Sequence, residues 1–254
     1  MIDVTILAIL QGIAEFLPIS SSGHLVIGQH LLGVNAPGMR LDLMLHAGTL
    51  LSIFVFYWAV IFRILSRFEW RYMLRIVASA IPAIIAYVLF DDQIESLFES
   101  ARAVGGCLLL TGVVLIATRF LPSGRNSVGF GHALAMGVAQ ALALLPGVSR
   151  SGMTLAASRA VRVEPGAAAE FSFLMSAPLI MGGVLLEILK SLKGGEAVAA
   201  AEQPSWALLV YGAVLAAVVG YISLALLVRS LKSRWFWLFG VYCFVAGLFV
   251  LFRL

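Results

Sequence analysis

The segment Gln11–His24, QGIAEFLPISSSGH, places one carboxylate, Glu15, inside an apolar run and then breaks at Pro18 into three serines, a glycine and a histidine. A charged side chain in such company is expensive to bury, so an ionisable residue here marks a functional position. A second segment, Gln140–Gly152 (QALALLPGVSRSG), follows the same plan, with Arg150 where the first has a serine. The expectation is that the two broken segments meet inside a membrane and build one phosphate-handling site.

The rest of the chain fits that setting. Of its 254 residues, 61% are hydrophobic and 12% charged, against about 25% charged in a soluble domain. The mean hydropathy is +1.02. Long runs rich in Leu and Ala, without alternating strand patterns, indicate an all-α polytopic membrane protein rather than a barrel. The first apolar run has no basic leader and no small-residue cleavage site, so it reads as part of the folded chain rather than as a signal peptide. The two cysteines, Cys107 and Cys243, sit in apolar runs and read as small buried hydrophobes. The net charge of +4 is no sign of a nucleic-acid partner, because the basic residues occupy short loops between apolar spans.

A hydrocarbon core of about 30 Å needs roughly 20 apolar residues in a helix. Six stretches qualify as transmembrane spans: about 41–62, 73–90, 103–121, 168–189, 206–228 and 235–252. Residues 2–17 and 130–145 are shorter, and each runs into a Pro/Ser/Gly break followed by a second short piece, about 23–33 and 152–161. Short helix, break, short helix is the pattern of a re-entrant hairpin, whose irregular backbone must be buried in protein or line a watery cavity.

Loop charge orients the spans. Arg63, Arg67, Arg71, Arg75, Arg119, Arg125, Arg159, Arg162, Arg229, Lys232 and Arg234 fall on one side if the hairpins do not cross. Asp91, Asp92, Glu95, Glu99, Glu196 and Glu202 fall on the other. The arginine side is expected in the cytoplasm, with both termini outside. An internal repeat agrees. A shift of 129 residues carries Gln11 onto Gln140 and Ser20–Gly23 onto Ser149–Gly152. Each half, about 1–127 and 128–254, would hold one hairpin and three spans of a single membrane domain. An odd number of spans inverts the second half, and inverted repeats place sites near the midplane between broken helices.

Gln11 and Glu15 share one helix face at i and i+4, a plausible hard-cation site when phosphate supplies further ligands. A buried Glu paired with an arginine or capping a helix is the alternative. Ser20, Ser21, Ser22 and Gly23 precede a helix start, where side chains cap and backbone N–H groups bind anions. His24, on the first turn, suits proton transfer or a structural bond. Ser149, Arg150 and Ser151 mirror that cluster, and the planar fork of an arginine is well shaped for phosphate. Gln140 fits either the site or a bond between helices. Asp42, His46 and Glu170 begin or line the following spans and fit supporting or packing roles equally.

The run QGIAEFLPISSSGH resembles the E/Q-x-x-x-E and following Ser/Gly/His segment of bacterial undecaprenyl-diphosphate phosphatases of the bacitracin-resistance family. PGVSRSG, followed by AAAEFSFL, looks like that family's second motif, and the resemblance spans the whole chain. It implies hydrolysis of the terminal phosphate of C55-isoprenyl diphosphate, giving the carrier lipid of peptidoglycan and other envelope polymers. It also implies dependence on a divalent metal, Mg²⁺ or Ca²⁺, and a site opening to the periplasmic side of the bacterial inner membrane. A homodimer is compatible with it. Carried over by position, Gln11 and Glu15 fill the metal-binding places, Ser21 the proposed nucleophile, His24 the acid/base and Arg150 the phosphate clasp. Ser20, Ser22, Ser149 and Ser151 match motif positions near the substrate.

A transporter or flippase for a polyprenyl phosphate is the rival reading, since inverted repeats and broken helices are transporter architecture. It leaves the Glu/Ser/His group beside the arginine without a task. The other class of membrane phosphatase needs a K-x₆-R-P element and a histidine after its SR pair; no histidine follows Arg150.

Overall fold

The computed structural model describes residues 1–32, 38–98, 100–192, 205–231, 233 and 235–253. Glu99, Glu196, Glu202, Lys232 and Arg234, part of the expected charge asymmetry, lie outside the described residues. Among the described residues the regular structure is helical: α1 (Ile2–Ala14), α2 (Ser21–Leu32), α3 (Gly38–Phe56), α4 (Trp58–Ser66), α5 (Trp70–Phe98), α6 (Ala101–Ala117), α7 (Phe130–Leu142), α8 (Arg150–Ala160), α9 (Pro165–Leu192), α10 (Trp206–Ser230) and α11 (Leu238–Arg253). Thr118–Phe120 extends α6 by a 3₁₀ turn.

Among the described residues, four helices are long and apolar enough to cross a membrane: α5, α6 with its 3₁₀ extension, α9 over Pro165–Leu186, and α10. Their outward faces carry exposed Val77, Ile81 and Ile84 on α5 and Val214, Val218 and Ile222 on α10. In water such faces would be costly; against acyl chains they need no cover. The protein is therefore a polytopic membrane protein.

Three expected spans look different in three dimensions. The stretch expected as one straight span over 41–62 is α3 and α4, bent by 68°. No proline or glycine lies at the bend. Tyr57 leaves the helical region there (φ −100°, ψ 17°), and the turn lets Arg63 reach Glu170 at 3.5 Å and Glu69 at 3.4 Å. These side chains are partly exposed, so the two pairs steady the bend rather than force it. The last expected span, 235–252, is helical only from Leu238. Its 16 residues rise about 24 Å, because Trp235–Trp237 form a turn instead. α5 continues past its expected end through a non-helical Phe90 (φ −130°, ψ 20°) into the acidic segment with Asp91, Asp92 and Glu95.

The two broken segments appear as anticipated, α1–α2 and α7–α8, with breaks at 15–20 and 143–149. α1 packs along α10 and α7 along α5, while α6 lies against α11 and α3 against both α9 and α10. The α6–α11 contact is close because both partners lack side chains there: a Cβ on Gly112 would sit 2.9 Å from the Gly240 carbonyl oxygen. The largest buried cluster joins Phe16, Phe171 and Phe173, with Phe16 and Phe173 edge to face at 5.6 Å. It packs beside the first break.

Candidate functional site

Each break is held by its own serine. Ser20 adopts φ 72°, a strained setting for a residue with a Cβ, and its oxygens hold the next turn together. The Ser20 carbonyl accepts from the His24 backbone N–H at 3.1 Å, and its hydroxyl accepts from Gly23 N–H at 3.3 Å. Ser149 caps α8, accepting from Gly152 N–H at 3.1 Å. Capping serines at these positions satisfy backbone donors that would otherwise be orphaned in a low-dielectric interior.

The breaks then lock onto each other. Gly147 has φ +94°, and a Cβ there would lie 2.4 Å from the Val104 carbonyl oxygen. A Cβ on Gly23 would lie 3.0 Å from Gly147 Cα. Ser151 Oγ donates to the Leu17 carbonyl at 3.1 Å. Thr111 of α6 ties the second break down: its hydroxyl donates to the Gly147 carbonyl and accepts from Ser149 N–H, both at 3.1 Å. The N-termini of α2 and α8 thus converge, and two helix starts facing one space make an anion site.

Between them lies a cavity of about 260 Å³ lined by Glu15, Ser20, Ser21, Ser22, Gln140, Ser149, Arg150 and Ser151, with His46 and Ser176 added from α3 and α9. Leu144, Val148, Leu179 and Ile180 form an apolar wall. Glu15 and Arg150, 135 residues apart, are ion-paired through Oε1 and Nη2. Glu15 Oε2 accepts from Ser21 Oγ at 2.7 Å and from Gln11 Nε2 at 3.1 Å, and lies 3.9 Å from His46 Nε2. The Glu15 side chain is only 4% exposed. Removing one partner of such a pair leaves an uncompensated charge in the interior.

Three buried polar groups at or just behind this cavity have no partner among the described residues: Arg150 Nη1, both amide atoms of Gln140, and Gln11 Oε1. Arg150 therefore uses one edge of its fork on Glu15 and keeps another free. Buried donors and acceptors left open are costly unless a ligand fills them.

Of the residues singled out from the sequence, the structure brings Glu15, Ser20, Ser21, Ser22, Gln140, Ser149, Arg150 and Ser151 to the cavity, with Gln11 behind Glu15. His24 is not brought to it. Its Nδ1 bonds the Ser20 carbonyl at 2.8 Å, its Nε2 bonds the Tyr242 hydroxyl at 2.7 Å, and its ring stacks on Tyr242. The imidazole in the cavity belongs to His46, whose Nδ1 bonds the Asp42 carbonyl at 2.8 Å. Asp42 in turn is held by Gln29 at 3.3 Å. Glu170 lies elsewhere, with Arg63 and Tyr72. Thr111 and Tyr242 gave no sequence signal, because a single hydroxyl in an apolar helix is unremarked without knowing what faces it.

For a metal, the protein offers one carboxylate and one unpartnered amide oxygen, Gln11 Oε1. Among the described residues no three His, Cys, Asp or Glu side chains gather. That donor set fits a hard cation whose remaining positions are taken by phosphate oxygens and water.

Comparison with known proteins agrees with the whole-chain pattern. Residues 4–249 match the profile of the family described as bacitracin resistance protein BacA. The undecaprenyl-diphosphatase of Halothermothrix orenii is 38% identical over 253 residues, 98% of this chain and 96% of that protein. The undecaprenyl-diphosphatase of Rhodopirellula baltica is 40% identical over 254 residues, with the same coverage. That of Christiangramia forsetii is 36% identical over 258 residues, 97% of this chain and 95% of the relative.

Proposed function

The chain belongs to the bacitracin resistance protein BacA family, and from that premise we propose that it is a membrane phosphatase hydrolysing undecaprenyl diphosphate to undecaprenyl phosphate and inorganic phosphate. One observation carries the reading at the level of chemistry. Glu15 and Arg150, from opposite halves of the chain, are paired in a cavity that also holds the Ser21 hydroxyl.

The residues divide the work as follows. The free edge of Arg150 and the open Gln140 amide receive oxygens of the terminal phosphoryl group. The converging starts of α2 and α8 add backbone donors, so charge that develops on transfer meets preorganised positive potential. The apolar wall takes the first isoprene units of the tail. Ser21 Oγ, already donating to Glu15 Oε2 at 2.7 Å, attacks phosphorus as Glu15 accepts its proton. The bond to the bridging oxygen breaks and undecaprenyl phosphate leaves; water then releases phosphate from Ser21. A water in the place of Ser21 Oγ reaches the same products in one step, with Glu15 again taking the proton. His24 acts at one remove: its bonds to Ser20 and Tyr242 hold the turn that presents Ser21. A divalent ion, Mg²⁺ or Ca²⁺, held by Glu15 and Gln11 would neutralise diphosphate charge as a Lewis acid.

The membrane arrangement belongs to the proposal: six crossing segments and two re-entrant hairpins in one domain, the halves about 1–127 and 128–254 inverted. The matched packing of α1 on α10 and of α7 on α5 supports it, because each hairpin's first helix lies along a long helix of the opposite half. With the arginine loops in the cytoplasm of the inner membrane, the cavity opens to the periplasmic side and supplies carrier lipid for envelope polymers. A homodimer is compatible with this arrangement.

The test is phosphate release by purified protein in detergent from undecaprenyl diphosphate, with chelator and with added Mg²⁺ or Ca²⁺. Metal-dependent release with no membrane to cross is expected. Lipid binding without any release would leave only a polyprenyl phosphate transporter.

A further inference from the structure

A second basic cavity lies away from the Glu15–Arg150 centre, at the end of the bundle where the arginine-bearing connections meet. The loop before α7 is pinned there. Arg75 donates to the Val128 carbonyl, and Arg125 N–H and Asn126 N–H donate to the Arg162 carbonyl at 3.1 and 3.0 Å. Thr118, Arg119, Arg159, Trp235 and Trp237 line a space of about 480 Å³.

Two guanidiniums face that space. Arg159 Nε is anchored on the Leu121 carbonyl at 3.2 Å, leaving its terminal nitrogens free of that bond. Arg119 stacks its guanidinium over the Trp237 ring at 4.8 Å. Among the described residues neither is ion-paired to a carboxylate. A cavity with two arginines unpaired to any carboxylate is complementary to a phosphate; Thr118, which also lines it, spends its hydroxyl proton on the Leu115 carbonyl at 2.6 Å.

An adjoining groove says what carries the phosphate. Trp235 is shared between the basic cavity and an apolar groove of about 510 Å³, lined among others by Ile13, Leu17, Leu238, Phe239 and Tyr242. The groove is open on its outer side, with Trp235 65% and Leu238 40% exposed. Tryptophans and arginines together mark the level of lipid headgroups. An anion site and an acyl-sized groove that meet at one tryptophan, Trp235, at that level fit one lipid molecule lying along the protein.

We propose that Arg119 and Arg159 form a binding site for the phosphate of an anionic phospholipid, whose acyl chain lies in the groove between the first broken segment and the start of α11. This site is separate from the phosphatase cavity and shares no residue with it. Ile13, Leu17 and Tyr242, the partner of His24, line the groove, so the bound chain rests against the hairpin that carries Ser21.

The test is native mass spectrometry of the full-length protein in neutral detergent, titrated with phosphatidylglycerol, phosphatidylcholine or inorganic phosphate. Phosphatidylglycerol should bind in preference to phosphatidylcholine. The double variant Arg119→Gln/Arg159→Gln should weaken phosphatidylglycerol about thirtyfold, the worth of two basic side chains at an anionic headgroup, and leave phosphatidylcholine unchanged. Equal binding by variant and wild type, equal binding of the two lipids, or displacement of phosphatidylglycerol by an equal concentration of inorganic phosphate would each overturn the proposal. Should the double variant not purify, tail-brominated lipids read the same contact. Brominated phosphatidylglycerol should quench tryptophan fluorescence more than brominated phosphatidylcholine, and Trp235→Phe should abolish the excess. Equal quenching by both lipids in the wild type, or an excess that survives Trp235→Phe, overturns it as well.

Discussion

Replacing Arg150 by alanine separates what the Glu15–Arg150 pair does for folding from what it does for chemistry. In the wild type, Glu15 is 4% exposed and its Oε1 faces the arginine. Arg150→Ala leaves a carboxylate whose remaining neutral donors, Ser21 and Gln11, both bond Oε2. Breaking a buried pair from one side costs about 3–5 kcal/mol. The double variant Glu15→Gln/Arg150→Ala removes the stranded charge, so it should recover most of that loss, with a coupling of roughly 2–3 kcal/mol between the sites. Activity should behave differently. The single variant loses the phosphate clasp, and removal of one preorganised oxyanion donor lowers kcat about 10²–10³-fold. The double variant should be no better, since it lacks both the clasp and the base. The assay pairs thermal unfolding in detergent with phosphate release on the same preparations. Additive stabilities in the double-mutant cycle, or an Arg150→Ala rate within about threefold of wild type where 10²-fold or more is expected, would refute the reasoning.

Three further outcomes follow from the same geometry. Ser21→Ala should abolish phosphoserine trapped by rapid acid quench and lower kcat by three or more powers of ten if Ser21 is the nucleophile; a loss of only about tenfold, the scale of one hydrogen bond, would assign the attack to water. Tyr242→Phe and His24→Gln should each lower kcat by about tenfold with KM little changed, because the first releases the His24 ring that braces the Ser20 carbonyl and the second removes that brace; a loss as deep as in Glu15→Ala would make His24 a direct participant. Gly147→Ala should destabilise the protein by about 1–3 kcal/mol, since it combines a positive φ with a clash on a carbonyl, and a thermal melt like the wild type's would contradict the packing of the two breaks.

The membrane class and the two polar breaks were legible without coordinates because they rest on local chemistry. A carboxylate and an arginine in apolar runs, each beside a Pro/Ser/Gly interruption, stand out against their neighbours whatever the fold. The helix starts after the breaks were legible for the same reason, as serine caps are local. Other features were not. Nothing near Tyr57 breaks a helix, so neither the 68° bend nor the meeting of Arg63 with Glu170, a residue 107 positions away, has a local signal. The sequence favoured His24 over His46 for the site, because His24 stands in the polar break; the structure instead sets His24 against Tyr242 and His46 in the cavity, a choice made by distant helices.

What the chain alone determines is thus the solvent it lives in and the residue types that meet a phosphate, because hydropathy and capping act over a few residues. The fold decides which of those side chains share a space. It turns His24 onto Tyr242, brings His46 beside Glu15, and sets Thr111 under the second break. Those outcomes depend on helix-to-helix packing between distant segments, where the direction of a side chain is set by a neighbour that spacing along the chain does not reveal.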